Sequence, residues 1–589
     1  MKRMGTVALA LSSAILLVLS SCSGGSQTTA SATDDNKSSE IRGTEGSVSG
    51  SAQEPITLTV GIQAANCNLD GVNQDYTVLQ KITEETGVTL SFVSYDKDKY
   101  TVLVAGDDLP DIINTYSDDA ANLSAMQSGQ FLPLDDLLNE YGQTIQEHIP
   151  LALKWSKDIY GNGTTYLLPT NVQISDESNP EKVDECTFNA RYDIFNAIGS
   201  PEITDDDSYL EVLKQMQEYA REQSGSDDIY AISAWTDWGT WPYMIDYPFA
   251  YGYMNTSYNQ LISPDGELVS AFTSADGIFW QGLKFFNKAY QMGIFDPEGL
   301  TQKFDQYSNK VNTGKVLTLF LAGDIDTDTL GEDAVMAILP GSVKYIPAVY
   351  NTESPLGYNA SNARAINANC KYPERAMQFL NWCEETENAR LLTNGVKGSE
   401  WDVIDGVPQL IGDYKQAVLD GTITQYGDSH KTGLTGSNFA NLGRYLTSGQ
   451  FSTEDGYPID LSATKQIKEE GASTAVKGFA KDYGSDLYYR GEVYDKWIKE
   501  GKAQTITSYN IAANLIATPS DETVTTTSKA QEYFMANVSK IILAASDDEF
   551  ETEKANMLQA FTDMGLDKAD QEIQDLFVTA QQVAKDYKN

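Results

Sequence analysis

From Ile56 the chain reads strand, helix, strand. Ile56-Thr57-Leu58-Thr59-Val60-Gly61-Ile62 alternates with period two, the pattern of a strand with one buried face. Tyr76, Leu79 and Ile82 then fall on one helical stripe, and Val88-Thr89-Leu90-Ser91-Phe92 is a second strand. Gly106-Asp107-Asp108-Leu109-Pro110-Asp111 makes a turn into Ile112-Ile113. Strands separated by helices need crossover connections, so this alternation predicts a parallel or mixed α/β sheet.

The segment before Ile56 is of another kind. Met1-Lys2-Arg3 and the apolar run Val7 to Leu19 form a leader too short to span a bilayer as a mature helix. Leu19-Ser20-Ser21-Cys22 resembles a bacterial lipobox, which predicts cleavage before Cys22 and acylation of that cysteine. Residues 1–21 are read as signal peptide. Residues 22–55, rich in Ser, Gly, Thr, Asp and Glu, are read as a disordered tether, with a coil span of roughly 30 Å. A lipid-anchored protein at the extracellular face of the membrane is expected.

The net charge of −43 repels phosphate backbones, so nucleic acid is not an expected partner. The two histidines, His148 and His430, leave little room for His-based zinc sites or a Ser-His-Asp triad, and both are read as surface or loop residues. Cys67, Cys186, Cys370 and Cys383 show no CxxC spacing. Disulfides and reduced core residues both remain open readings. No cofactor is called for.

Further helices are legible. Thr204 to Asp207 forms a capping box before the stripe Tyr209, Val212, Leu213, Met216, Tyr219. Phe279, Leu283, Phe286 and Tyr290 share a face, with Gly293 as terminator, and Pro373 opens a helix burying Ala376, Phe379, Leu380 and Cys383. The last 55 residues read as helical with a break near Gly565. Trp280 and Trp382 are expected in the core, and Asp111 as a structural cap.

Several stretches together resemble the family 1 extracellular solute-binding proteins of bacterial ABC importers, most of all the large Gram-positive subgroup associated with oligosaccharide uptake. They are Glu84 to Phe92, Gly106 to Ile113, Ser128 to Leu137, Asp158 to Pro169, Arg191-Tyr192-Asp193, Phe286 to Glu298, Cys370 to Ala376 and Leu391 to Trp401 with Asp405-Gly406. Each is a turn or cap, and their collinear order makes the case. The resemblance implies an α/β periplasmic-binding-protein type II fold: two lobes, a hinge, a central ligand cleft and extra C-terminal helices. Lobe 1 is expected at 56–170 plus 350–405, and lobe 2 at 171–349 plus 406–589. The implied protein is a monomeric, non-enzymatic receptor that passes an oligosaccharide to ABC permease subunits. Relatives often carry an EF-hand-like loop where this chain has Ser224 to Tyr230. The alternating oxygen ligands are missing, so no metal is assigned there. Asp324-Ile325-Asp326-Thr327-Asp328 has the spacing of three ligands but lacks the later Gly and Glu, and a solvated loop is expected.

Sugars present C–H faces that pack on aromatic rings and hydroxyls that need hydrogen-bond partners. Trp235, Trp238 and Trp241 fall within seven residues, followed by Tyr243. Gly239 and Pro242 argue against a regular strand there, and loop aromatics are expected to serve as ligand platforms. Other candidates follow from loop position: Gln63 and Asn66 after the first strand, Tyr116 and Asp118 after the third, Tyr358 and Asn359 on re-entry to lobe 1, and Glu400 and Trp401 on a late loop. Two rival readings stand beside the sugar receptor. An oligopeptide receptor would need groups for backbone amides and termini. A glycosidase would need two carboxylates about 5–10 Å apart across the cleft.

Overall fold

The computed structural model describes residues 54–587, apart from 64–68, 70–71, 73, 116–119, 171, 173–180, 183–186, 320–324, 350–362, 421–441, 443–451, 453, 485–489 and 508–509. Cys22 and the tether lie outside the described residues, as do Asn66, Tyr116, Asp118, Tyr358 and Asn359.

The first lobe is built on a five-stranded sheet. The Ile56–Gln63 strand pairs in parallel with Val88–Tyr95 along its whole length and with Ile112–Thr115. Ala363–Ile366 returns antiparallel between Ile112–Thr115 and Leu168–Pro169. The alternation read from the sequence puts Leu58, Val60 and Ile62 in the core with Val78, Leu79 and Ile82 of the Thr77–Thr86 helix. Gly61 is required by a close approach: a Cβ there would fall 2.3 Å from the Tyr95 hydroxyl, which donates to the Asn114 carbonyl at 2.6 Å. The Asp111 carboxylate accepts from Thr59 N–H (2.8 Å) and Thr59 Oγ1 (2.7 Å). Its role is structural, a tie between two strands.

The second lobe holds a larger core, around the three-stranded sheet of Asn189–Arg191, Thr318–Leu319 and Met336–Ile338. Its helices follow the sequence pattern with one shift. The capping box sits at Asp205, whose side chain accepts from Ser208 N–H while Ser208 Oγ accepts from the Asp205 N–H. The cap lies one residue after Thr204 because Ser208, three residues past Asp205, supplies the reciprocal partner. The Ile278–Gln291 helix buries Phe279, Trp280, Leu283 and Phe286. Three C-terminal helices, Asp521–Ile542, Asp547–Asp563 and Leu566–Ala584, pack onto this lobe, and Gly565 breaks the last pair with φ +82°.

Packing moves part of the expected lobe boundary. After the Pro373–Trp382 and Thr386–Asn394 helices of lobe 1, the chain forms a hairpin, Trp401–Ile404 with Val407–Leu410. Its apolar side meets Tyr414, Leu461 and Ile467 in a small cluster of its own. Leu442 joins the lobe 1 core, and Arg390 grips Asp455 with two nitrogens at 2.5 and 2.9 Å. The described residues Leu442, Asp455 and Ile459 therefore pack on lobe 1 elements rather than on lobe 2. Lobe 2 resumes at the Thr474–Asp482 helix, where Phe479 packs edge-on against Tyr192, ring centroids 4.8 Å apart. Two other expectations change. His148 is half-buried at the end of the Gln143–His148 helix, its side chain covered beside Glu384 (3.8 Å) rather than on the surface. Trp382 is half-buried, stacked on Phe379.

The Asp111 tie should matter for stability. Asp111→Ala leaves the Thr59 donors facing the gap between two central strands, and urea unfolding should show a loss of about 1–3 kcal/mol. A variant as stable as the parent would show that the tie is dispensable.

Candidate ligand-binding cleft

Strand direction decides which ends of the two sheets meet. In lobe 1, Ala363 pairs with both Thr115 and Pro169. The chain therefore leaves lobe 1 after Pro169 and re-enters before Ala363 at one edge. The first and third strands end there too, at Gln63 and Thr115. In lobe 2, Leu319 pairs with Asn189, at the start of the strand the chain enters on arrival. Tyr230 and Ile232 bridge in parallel to Val316 and Phe295. The segments after Ile232, Phe295 and Leu319 therefore leave lobe 2 at its arrival edge. Glu181–Lys182 and Tyr345–Val349, from the two passages of the chain between the lobes, run antiparallel, and Gln504–Thr507 lies parallel to the second of them. Ligands of open α/β sheets bind at carboxyl edges of this kind.

The tryptophan segment leaves the lobe 2 edge directly after Ile232. It is held from below by a polar network. Ser233 Oγ donates to Asp296 (2.9 Å), which also accepts from Lys310 Nζ at 2.7 Å. Gln302 Nε2 donates to Ser233 Oγ (2.8 Å) and to the Ala234 carbonyl (2.6 Å). The Gln302 carbonyl accepts from Thr236 N–H at 3.0 Å, and Asp237 accepts from Phe304 N–H at 2.9 Å. Burial alone would lower the Lys310 pKa, but the bonds to Asp296 and Glu298 outweigh it and the ammonium is raised.

The three tryptophans play different parts. Trp235 is 0% exposed, walled in by Tyr307 (4.6 Å), Phe304 (5.3 Å), Trp238 (5.5 Å) and Trp241 (6.4 Å). It offers no face to a ligand, and its expected platform role is corrected to a foundation. Trp238 and Trp241 are half-buried and stand 5.4 Å apart, and Trp238 stacks on Phe304 at 4.4 Å and 26°. Phe304, absent from the sequence candidates, opens the Phe304–Asn312 helix and is half-buried as well. Its signal was its place at a helix start just after the Asp296-Pro297-Glu298 turn, a feature that only matters once the fold brings it to Trp238.

The other predicted residues divide. Gln63 closes the first strand at the lobe 1 edge. Tyr243 is buried in the Trp241–Ala250 helix against Phe286 and Phe534, because that helix is covered on nearly every side. Trp401 is buried at the hairpin start, its Nε1 donating to Gly395 at 2.9 Å, and the buried Glu400 carboxylate accepts from Val396 N–H at 2.9 Å. Tyr243, Glu400 and Trp401 are thus structural here, their polar or aromatic faces already used within the protein. In the segment where relatives place an EF-hand-like loop, Asp228 is paired with Lys315 (2.6 Å). Asp326 and Asp328 are solvent-exposed as expected, and Asp326 caps the short Thr327–Leu330 helix. No acidic, histidine or cysteine cluster able to hold a metal occurs among the described residues.

One buried acid stands apart. Asp246 lies on the Trp241–Ala250 helix beside a small cavity lined by Phe188, Tyr209, Ile232, Phe285, Thr318 and Leu319. Burial pushes its carboxyl pKa well up, so the proton is held more tightly in the fold than in the unfolded chain. Between the unfolded value of about 3.9 and the raised folded value, the native state binds more protons, and stability falls as pH rises. Asp246→Asn removes that loss, so its melting temperature relative to the parent should climb from pH 4 to pH 8. A pH-independent difference would contradict the neutral carboxyl. The tryptophans should separate in the same melts. Trp235→Ala should lose about 3–5 kcal/mol of stability as a core truncation, and Trp238→Ala less than half of that.

No protein-family model matches the chain. Lipoprotein LipO of Bacillus subtilis is 22% identical over 450 residues, 73% of this chain and 81% of that protein. The fructooligosaccharide ABC transporter substrate-binding protein FusA of Streptococcus pneumoniae is 24% identical over 309 residues, 51% of this chain and about half, 54%, of its own length. Its structure in complex with kestose superposes with a TM-score of 0.53 at 14% identity, covering 90% of this chain and 100% of FusA. An HMO-binding, ABC-transporter-associated solute-binding protein of Bifidobacterium longum infantis gives a TM-score of 0.57 at 14% identity, covering 89% of this chain and 98% of its own. The chain has the two-lobe α/β fold of the solute-binding proteins of ABC transporters.

Proposed function

We propose that this protein is the substrate-capturing lipoprotein of an ABC importer, taking an oligosaccharide between its lobes and handing it to the permease without altering it. The observation that carries this reading is the half-exposed aromatic surface of Trp238, Trp241 and Phe304 at the lobe 2 edge where the chain enters from lobe 1. Pyranose and furanose rings offer C–H faces to such a surface. The named ligands of FusA and of the Bifidobacterium protein, kestose and HMO, belong to the same chemical class. Gln63, which ends the first strand, and from their place in the sequence Asn66, Tyr116, Asp118, Tyr358 and Asn359 are proposed as further ligand contacts. Cys22 is proposed as the lipid anchor, with the folded part a monomer at the extracellular face.

Ligand binding would favour the closed arrangement only by its differential affinity for it. The test uses kestose and a panel of neutral oligosaccharides. Titration should change the intrinsic tryptophan fluorescence, and chromatography should recover the sugar intact. Trp238→Ala and Phe304→Ala should each weaken binding by about 1–3 kcal/mol, as expected for aromatic anchors. Cleaved sugar with turnover would favour a glycosidase. A response to peptides but to no sugar would favour an oligopeptide receptor.

A further inference from the structure

The far end of the chain crosses back to lobe 1. After the Leu566–Ala584 helix, the Lys585–Tyr587 turn lays the Tyr587 ring edge-on against Trp155, with centroids 5.2 Å apart. The Tyr587 hydroxyl donates to Asp158 at 3.0 Å, and Lys154 Nζ lies 4.0 Å over the same ring. Leu151, Tyr160, Ile511 and Leu515 complete the cluster, in which Trp155 and Tyr587 are both buried. Each partner has a clear allegiance. The Pro150–Trp155 helix sends Ala152 and Leu153 into the lobe 1 core. Ile511 and Leu515, with the Leu566–Ala584 helix, pack against the Met254–Thr256, Gln260–Ile262 and Leu268–Ser270 hairpins of lobe 2. The same cluster takes Ile506 from the Gln504–Thr507 strand, which pairs with Tyr345–Val349.

The gripped segment is itself unusual. Ser156–Tyr160 is a turn of π-helix continuing straight from the α-helix. Such turns are rare and occur frequently at functional sites. Gly161 ends it, and a Cβ there would fall 1.7 Å from the Thr164 carbonyl oxygen. The π-turn places Asp158 in reach of both the Tyr587 hydroxyl and Lys154 Nζ, at 3.0 and 3.1 Å. Gly161 N–H closes the turn on the Ser156 carbonyl at 3.0 Å, which leaves the Asp158 carboxylate to grip a partner without a covalent link.

We propose that Tyr587 is a clasp between the lobes. It pins lobe 1 to the C-terminal helices beside these paired strands, so that the lobes swing about that point and their opening is limited in the absence of ligand. The contact is small, carries one side from each lobe, and can part while both cores stay intact. It therefore acts on the open–closed population rather than on folding, and it needs no assumption about what the cleft binds.

Small-angle X-ray scattering of the ligand-free full chain tests this. Tyr587→Ala, and a chain truncated before Lys585, should both show a larger radius of gyration than the parent. Tyr587→Phe, which keeps the ring and loses the hydroxyl, should fall between. Because the truncated chain has lost the 585–589 tail, fraying of that tail cannot account for its expansion. Amide exchange at 150–160 and 511–515 should quicken in the same variants. Unchanged or smaller radii in both Tyr587→Ala and the truncated chain would overturn the proposal. Since no sugar is present, that outcome is separate from any failure of oligosaccharide binding.

Discussion

The pairing of Ala363 with Pro169 and Thr115, and of Leu319 with Asn189, governs how the rest is arranged. A chain that leaves one sheet and enters another must do so at a strand end. Here the departures and returns of both lobes fall on the edges where the other central strands also finish. The ends of strands far apart in sequence are thereby gathered at one edge of each sheet. Glu181–Lys182 and Tyr345–Val349, from the two passages between the lobes, are paired antiparallel. Lobes linked by a few extended strands are free to swing about them, which is the motion a clamp requires.

The lobe 2 rim shows how an aromatic surface is kept rigid. An exposed tryptophan in a loop has two χ angles to lose on binding and would bind weakly if they were free. Trp238 is denied that freedom by Trp235 beneath it and Phe304 beside it. Trp235 is in turn set by the Ser233, Gln302 and Asp296 network, whose excess negative charge is met by Lys310. The buried tryptophan thus serves the exposed one. Replacing it would damage the site through geometry rather than through a lost contact.

The elements legible in the sequence were those encoded locally. The period-two run at Ile56, the stripes at Tyr209 and Phe279 and the break at Gly565 all stand where their patterns placed them. The two-lobe fold came from the ordered series of turn motifs, not from any single one. Site residues were harder, because exposure is a property of the fold. Trp235, Trp238 and Trp241 look alike in sequence, yet Trp235 alone is enclosed, by Phe304 and Tyr307 from a distant part of the chain. Trp401 carried the same aromatic signal and proved to anchor a hairpin. Phe304 was passed over because a phenylalanine at a helix start is ordinary until its neighbour across the chain is known.

The lobe 1 rim has the opposite character. Thr115 Oγ1 and the Tyr100 hydroxyl both donate to Asn122 Oδ1, at 2.9 and 2.6 Å, and Arg364 Nε donates to Asn114 Oδ1 at 3.0 Å. Ser94, Asn114, Thr115, Asn122 and Arg364 are all buried, so a polar layer lies directly behind the strand ends. Such a layer is stable only when its members are mutually bonded, and it holds the strand ends that carry the rim in fixed positions.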